Sequence, residues 1–266
     1  MNQSFKNQVV WITGASSGIG EALVYAFAKR GSKIVLSARN KTELERVQKE
    51  AGLSDENSLV LPLDLEKKEF QSETSAVLKK FGGIDIVIHN GGISQRSLTQ
   101  DTKFSVFEKI MATNYLGAVA LTLATLPHFQ TKKSGKYVVV TSIVGKVGTP
   151  LRSGYSASKH ALHGFFDALR AEVSKDQIKV LMVLPGYIKT KISINALTGT
   201  GSIQGKMDQA QEQGILPDIC AEKILAAILS DRQEISIAAF REKLALLLKR
   251  FFPKFLAKIL EKAKVT

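Results

Sequence analysis

Tyr155 and Lys159 stand four residues apart in the hexapeptide GYSASK, Gly154 to Lys159. On a helix that spacing sets both side chains on one face, about one turn apart. A phenol with an ordinary pKa of about 10 is a weak acid at neutral pH. A fixed positive charge beside it favours the phenolate and suits it to proton transfer. Thirteen residues before Tyr155, Ser142 follows the apolar run YVVVT. That run reads as a buried strand, so the Ser142 hydroxyl falls at a strand's carboxyl end, where open α/β sheets bind their ligands. Alone, Tyr-x-x-x-Lys also describes any solvated helix face. Its weight comes from the segments that must position it.

The first of these is VVWIT, Val9 to Thr13, a β-branched apolar run followed by GASSGIG, Gly14 to Gly20. Ala22, Leu23, Ala26 and Phe27 then recur at helical spacing up to Gly31, and KIVLSAR reads as a second strand. Strand, glycine turn, helix and strand within about thirty residues is the context in which a glycine motif signifies a nucleotide. A pyrophosphate is held by backbone N–H groups that a side chain would screen, and the helix N-terminus adds a favourable dipole. Gly14, Gly18 and Gly20 supply the space, Ser16 and Ser17 supply hydroxyls, and Ile19 lies within the loop.

The tip of the second strand discriminates between cofactors. A site that prefers NAD usually carries an acid there for the ribose 2′-hydroxyl. Here the tip reads Ser37, Ala38, Arg39, Asn40. An acid would repel a 2′-phosphate, whereas Arg39 can pair with it. NADP(H) is therefore favoured over NAD(H).

Further along, Lys41 to Ala51 is expected as helix, Ser58 to Leu65 as a strand carrying Asp64 toward the adenine amino group, and Glu66 to Phe81 as helix. Ile84 to Gly92 is expected as a fourth strand entering a glycine loop. Phe104 to Phe129 carries one long helical pattern, with Asn114 in an interior that suits Asn poorly. Lys136 to Thr141 and IKVLMVL complete the strand pattern, and the latter leads into PGYIKT, Pro185 to Thr190. Alternation of this length means parallel β-α-β units.

The composition, 44% hydrophobic and 23% charged, is that of a globular domain. Cys220 is the only cysteine, so no intrachain disulfide forms. His89, His128, His160 and His163 lack ligand-spaced partners, and no metal site is expected. The start, MNQSFKNQVVWIT, lacks a leader pattern, and no uninterrupted apolar run of the ~18 residues needed to span a bilayer is read. A net charge of +13 raises anionic partners. No helix-turn-helix, zinc or aromatic-platform pattern accompanies it, so nucleic acid is not expected.

TGASSGIG, HNGG, Asn114, Ser142, YSASK and PGYIKT stand together in the order and spacing of the short-chain dehydrogenase/reductase family, and the chain resembles it from about Val9 to Leu229. The resemblance implies an α/β fold: a single Rossmann-type, doubly wound parallel sheet of about seven strands flanked by helices, in a homodimer or homotetramer. It makes Tyr155 the acid/base and Lys159 the residue that holds the nicotinamide ribose and lowers the tyrosine pKa. Ser142 would bond the substrate oxygen, and Asn114 would support a relay water. It assigns the phosphate loop to Gly14, Ser16, Ser17, Gly18, Ile19 and Gly20, the loop beside the cofactor to Asn90 and Gly91, and carboxamide contacts to Ile188 and Thr190. His89 stands where the family's NNAG motif has its first Asn. Ser17 stands where many NADP-preferring members carry a basic residue, which leaves Arg39 to carry that preference. The implied reaction is hydride transfer between NADP(H) and a carbonyl or secondary alcohol. A non-catalytic NADP(H)-binding sensor or scaffold is the competing reading.

The catalytic domain is expected over 1–237, with a substrate lid at 191–216 in which Ile192, Ile194, Leu197 and Met207 line a pocket or pack the lid. A C-terminal basic amphipathic tail is expected over 238–266. Arg241 to Lys264 holds eight basic and two acidic residues, with Leu244, Leu248, Phe251, Phe255 and Ile259 as an apolar stripe. Such a pattern fits either a peripheral membrane contact or packing on the lid or a neighbouring subunit. The region from PGYIKT to the tail also resembles a membrane-associated subgroup of the family, and an apolar or lipid-like ketone (such as acyl-dihydroxyacetone phosphate, 3-oxoacyl or steroid-like) is the expected substrate. The expected location is cytoplasmic or peripheral to a membrane.

Overall fold

The computed structural model describes residues 4–263. Seven strands form one sheet: β1 Val9–Thr13, β2 Lys33–Ser37, β3 Ser58–Val60, β4 Ile86–His89, β5 Gly135–Val140, β6 Ile178–Pro185 and β7 Glu234–Ile237. Their spatial order is β3-β2-β1-β4-β5-β6-β7, and every pairing is parallel. The order reverses between β1 and β4, which opens a crevice at the carboxyl ends of those strands.

Successive strand residues face opposite sides, and parallel sheets are covered on both. Val10 and Ile12 of β1 enter one core with α1 (Gly18–Ala28), α2 (Lys41–Glu50) and α8 (Pro217–Leu229). Val9 and Trp11 enter the other with α3 (Gln71–Phe81), α5 (Gly117–Lys132) and α6 (Ser153–Glu172). Trp11 is fully buried, and its indole donates to Ser37 Oγ at 2.8 Å. This satisfies a polar handle that would otherwise be costly in a core.

Three expected elements differ. The strand expected over Ser58 to Leu65 ends at Val60, so Asp64 lies in the loop beyond β3. The helix expected from Glu66 begins only at Gln71, because Asp64 Oδ1 accepts the Glu66 N–H in a turn and Phe70 is buried. The single helix expected over Phe104 to Phe129 is interrupted. α4 (Phe104–Met111) passes through a wide π-turn at Ala112–Leu116 before α5. The run Phe104–Lys132, which contains an 18-residue window of mean hydropathy 1.3, has the length and composition of a membrane-crossing helix, which the sequence reading did not identify. Here it packs against α3 and α6.

Beyond β6 come α7 (Gln209–Glu212), α8 and β7, then α9 (Phe240–Phe251) and α10 (Pro253–Glu261). No residue of α9 is buried and only Leu256 of α10 is. Most of the apolar stripe does not face the domain: Leu244, Phe251, Phe255 and Ile259 are exposed, and Leu248 is half-buried. Leu246, one helical step away, packs on the core instead.

Candidate active site

Four side chains converge at the carboxyl edge of β4, β5 and β6. Tyr155 and Lys159 lie in the first turns of α6 and are both buried, at 9% and 4% exposure. Lys159 Nζ donates to the Val140 carbonyl at 2.9 Å and stands 5.8 Å from the centre of the Tyr155 ring. Ser142 follows β5. Its hydroxyl donates to the Pro185 carbonyl at 3.2 Å and accepts the Val144 N–H at 3.3 Å. The β5–β6 ladder thus fixes its position on both sides.

Asn114 sits in the π-turn, and its amide explains that turn. Its Oδ1 accepts the Ile93 N–H at 2.8 Å, while Nδ2 donates to the Ile93 carbonyl at 2.9 Å and to Ser158 Oγ at 2.9 Å. A buried amide finds partners in this way, and π-turns inside helices recur at functional sites. Asn114 therefore joins the loop after β4 to the helix that carries Tyr155 and Lys159.

Burial holds the Tyr155 phenol above its ordinary pKa, against the guanidinium charges of Arg96 and Arg152 and the Ser142 hydroxyl. Burial also lowers Lys159 to about 8. Two arginines that the sequence reading did not foresee thus oppose burial at Tyr155.

The glycine loop lies beside this set. Gly14 has φ +65, and a Cβ there would lie 2.8 Å from the Gly91 Cα. A Cβ on Gly20 would strike the Gly14 carbonyl and lie 2.6 Å from Asn90 Nδ2. Asn90 Nδ2 donates to the carbonyls of Thr13 at 3.0 Å and Gly14 at 3.3 Å. Thr13 Oγ1 donates to the Ile88 carbonyl and accepts the N–H groups of Asn90 and Gly91, each at 3.0 Å. Thr13 is a buried spacer that motif reading passed over. Ser17 is the N-cap residue of α1 but makes no capping bond, and Ser16 is half-buried. The side chain of Ile19 packs toward the core. A Cβ on Gly18 would lie 2.9 Å from Thr190 Cγ2, which brings the PGYIKT segment against the loop. Ile188 is buried, and its carbonyl accepts from Gln211 of α7. Backbone donors, a helix N-terminus and space that a side chain would fill make a cradle suited to a pyrophosphate.

A family model for short chain dehydrogenase matches residues 8–200. The chain belongs to the short-chain dehydrogenase/reductase family. It is 46% identical over 261 residues to the Dehydrogenase/reductase SDR family protein 7-like of Anopheles gambiae, covering 96% of this chain and 82% of that protein. It is 44% identical over 240 residues to the human Dehydrogenase/reductase SDR family member 7, covering 87% and 70%. It is 39% identical over 260 residues to the Bos taurus Dehydrogenase/reductase SDR family member 7B, covering 95% and 80%. A short-chain dehydrogenase from Streptomyces avermitilis has the same fold, with TM-score 0.79 at 24% identity and 96% coverage of both chains.

For a short-chain dehydrogenase, three further placements matter. Arg39 is exposed at the end of β2, and Asn40 caps α2 by accepting the Glu43 N–H at 3.2 Å. Arg46, one turn into α2, pairs with Glu21, Glu43 and Glu50, and its Nη2 lies 3.4 Å from the Ser16 carbonyl. A guanidinium on α2 is thereby bonded to the glycine loop. The four-residue spacing of Arg46 to Glu50 suggests only a surface pair. His89 does not face the cofactor crevice. It is buried with Nε2 3.0 Å from Thr122 Oγ1, stacked on Tyr137, and burial lowers it to about 3. Among the described residues no group of three or more His, Cys, Asp or Glu could hold a metal ion.

Proposed function

We propose that this short-chain dehydrogenase is an NADP(H)-dependent oxidoreductase acting on a carbonyl or secondary alcohol of an apolar or lipid-like molecule. The observation that carries the reading is the meeting of Ser142, Tyr155 and Lys159, held by Asn114, beside a glycine cradle at one sheet edge. Bound in that cradle, a nicotinamide would supply or accept the hydride. Gly14, Ser16, Ser17, Gly18, Ile19 and Gly20 would hold the pyrophosphate, with Asn90 and Gly91 forming the facing wall. Asp64 is assigned to the adenine, and Ile188 and Thr190 to the carboxamide end.

Ser142 and Tyr155 offer O–H donors to one oxygen. Donors aimed at a growing negative charge stabilise the transition state more than the ground state. During reduction Tyr155 gives its proton to that oxygen, and during oxidation it takes the proton back. Lys159 orients the ribose and joins the proton path that passes Asn114. The apolar substrate class rests on Met207, Ile192 and Ile194, which are not fully buried in the segment over the site. Leu197 is instead packed away against Val106 and Ile110.

Arg39 carries the NADP assignment. Arg39→Ala is expected to weaken NADPH binding by about tenfold or more while changing NADH binding little, because a charge-assisted bond contributes about 1.5–3 kcal/mol. Calorimetric titration of both nucleotides checks it. Equal weakening of both, or preference of the unaltered protein for NADH, overturns the assignment.

The same reading makes the protein a homodimer or homotetramer and sets its tail, 241–264, against a membrane surface. Phe240, Leu247, Phe251, Phe252 and Phe255 are each more than half exposed among the lysines and arginines of α9 and α10. Exposed aromatics among basic residues suit an anionic headgroup layer. Co-sedimentation with phosphatidylserine vesicles that persists in high salt and is lost in Phe251→Ser/Phe255→Ser is the expected result. Binding to neither anionic nor neutral vesicles contradicts it.

A further inference from the structure

One side chain ties the C-terminal tail to the sheet edge where the site lies. β7 pairs with β6 to its last residue, Ile237 beside Pro185, and the Gly186 N–H donates to the Ile237 carbonyl at 2.9 Å. The tail helix α9 therefore starts at the carboxyl edge that carries Ser142. Glu242 lies in the first turn of α9 and is half-buried. Its Oε2 accepts the N–H of Ala239, the residue before the helix, at 2.7 Å. That bond satisfies an N–H at the helix start and is ordinary there. Its Oε1 leaves the helix and accepts the N–H of Tyr187 at 2.8 Å.

Gly186 is fitted to this carboxylate. Its φ is not positive, so its backbone does not call for glycine. The space does. A Cβ there would lie 2.3 and 2.4 Å from the two Glu242 oxygens and 2.5 Å from the carbon that joins them. The site leans on the same turn. The Pro185 carbonyl accepts the Ser142 hydroxyl at 3.2 Å, and the Tyr187 carbonyl accepts the Ile215 N–H at 2.9 Å. Ile188 and Thr190 come next in the chain. α9 also packs against Ile143–Gly145, the turn that follows Ser142. A helix cap needs only one carboxylate oxygen. The other is spent on the peptide between Gly186 and Tyr187, and a bond to a charged acceptor is among the stronger ones.

We propose that Glu242 is a positioning residue for the nicotinamide end of the cofactor. By fixing the Gly186–Tyr187 peptide it sets Ile188 and Thr190, which are assigned to the carboxamide, and it makes the start of the tail a part of the active site. The assignment rests on the nicotinamide-dependent reading above. Glu242 acts through the turn and not by touching the nucleotide. The bonds from Thr13 and Asn90 that hold the glycine loop do not involve α9. A loss at Glu242 should therefore be felt by the nicotinamide and not by the rest of the nucleotide.

The test is calorimetric titration of the full chain with NADPH and with 2′-phospho-ADP-ribose, the same nucleotide without its nicotinamide. Should the unaltered chain take NADH instead, NADH and ADP-ribose are the pair. Glu242→Ala is expected to weaken the complete nucleotide by about five- to tenfold, the loss of one charge-assisted bond, and to leave the truncated one nearly unchanged. Gly186→Ala should do the same, because its Cβ expels the carboxylate. The double variant should lose no more than either single one, since the Cβ then fills the space that Glu242 has left. A merely structural role weakens both nucleotides alike, or lowers the thermal midpoint without touching either. Either result overturns the proposal, as do losses that add in the double variant. No residue of α9 is fully buried, so Glu242→Ala is expected to fold. Should it not fold by circular dichroism, Gly186→Ala is read in its place, and failure of both overturns the proposal by making the contact part of the fold. Binding of neither nucleotide by the unaltered chain is the separate failure of the oxidoreductase reading, and it removes this assignment with it.

Discussion

Tyr155→Phe is expected to lower kcat for carbonyl reduction by about 10²–10⁴-fold, which is about 3–5 kcal/mol of transition-state stabilisation. The phenyl ring keeps the volume of a side chain that is 9% exposed, so the fold and the cradle persist. Only the proton is lost. Nucleotide binding should change little, since the pyrophosphate is proposed to sit on the glycine side of the crevice. KM for the carbonyl should rise modestly, because the Ser142 hydroxyl remains to meet the substrate oxygen. Steady-state kinetics paired with calorimetry check both halves. Full turnover in the variant would remove Tyr155 from the mechanism.

Gly20→Ala carries the second large effect. The added Cβ meets the Gly14 carbonyl and Asn90 Nδ2, two fixed groups of the cradle rather than the end of a flexible side chain. Relief requires the loop and α1 to part. Overpacking of this kind costs about 1–3 kcal/mol or more. The displaced loop is the one proposed to hold the pyrophosphate. A fall in thermal midpoint together with loss of nucleotide binding is the expected pair of results. A stable variant with unchanged nucleotide affinity would show that the cradle is not the nucleotide site. By contrast, a Cβ on Gly52 would meet nothing within 4 Å, and Gly52→Ala should leave nucleotide binding untouched.

The sheet was legible in the sequence because β1, β2, β4, β5 and β6 are continuous apolar runs, the signature of strands covered on both faces. The glycine loop and the Tyr155–Lys159 pair were legible because each lies within a few residues of chain. What escaped depends on distant partners. Arg96 bonds Asp208, 112 residues further along the chain, and no local pattern joins them. The π-turn at Asn114 follows from bonds to Ile93, 21 residues earlier. An amphipathic pattern runs straight through that turn without registering it. The tail shows a third limit. Helical spacing located an apolar stripe in α9 and α10 but not the side it faces, and Leu246 and Leu256 turn inward in its place.

The most direct measurement is calorimetric titration of the purified full chain with NADPH and NADH in parallel. The account predicts saturable binding of one molecule per chain, tighter for NADPH, and weakened for NADPH by Arg39→Ala. Binding of neither nucleotide would contradict the central claim that the crevice between β1 and β4 serves a nicotinamide-dependent oxidoreductase.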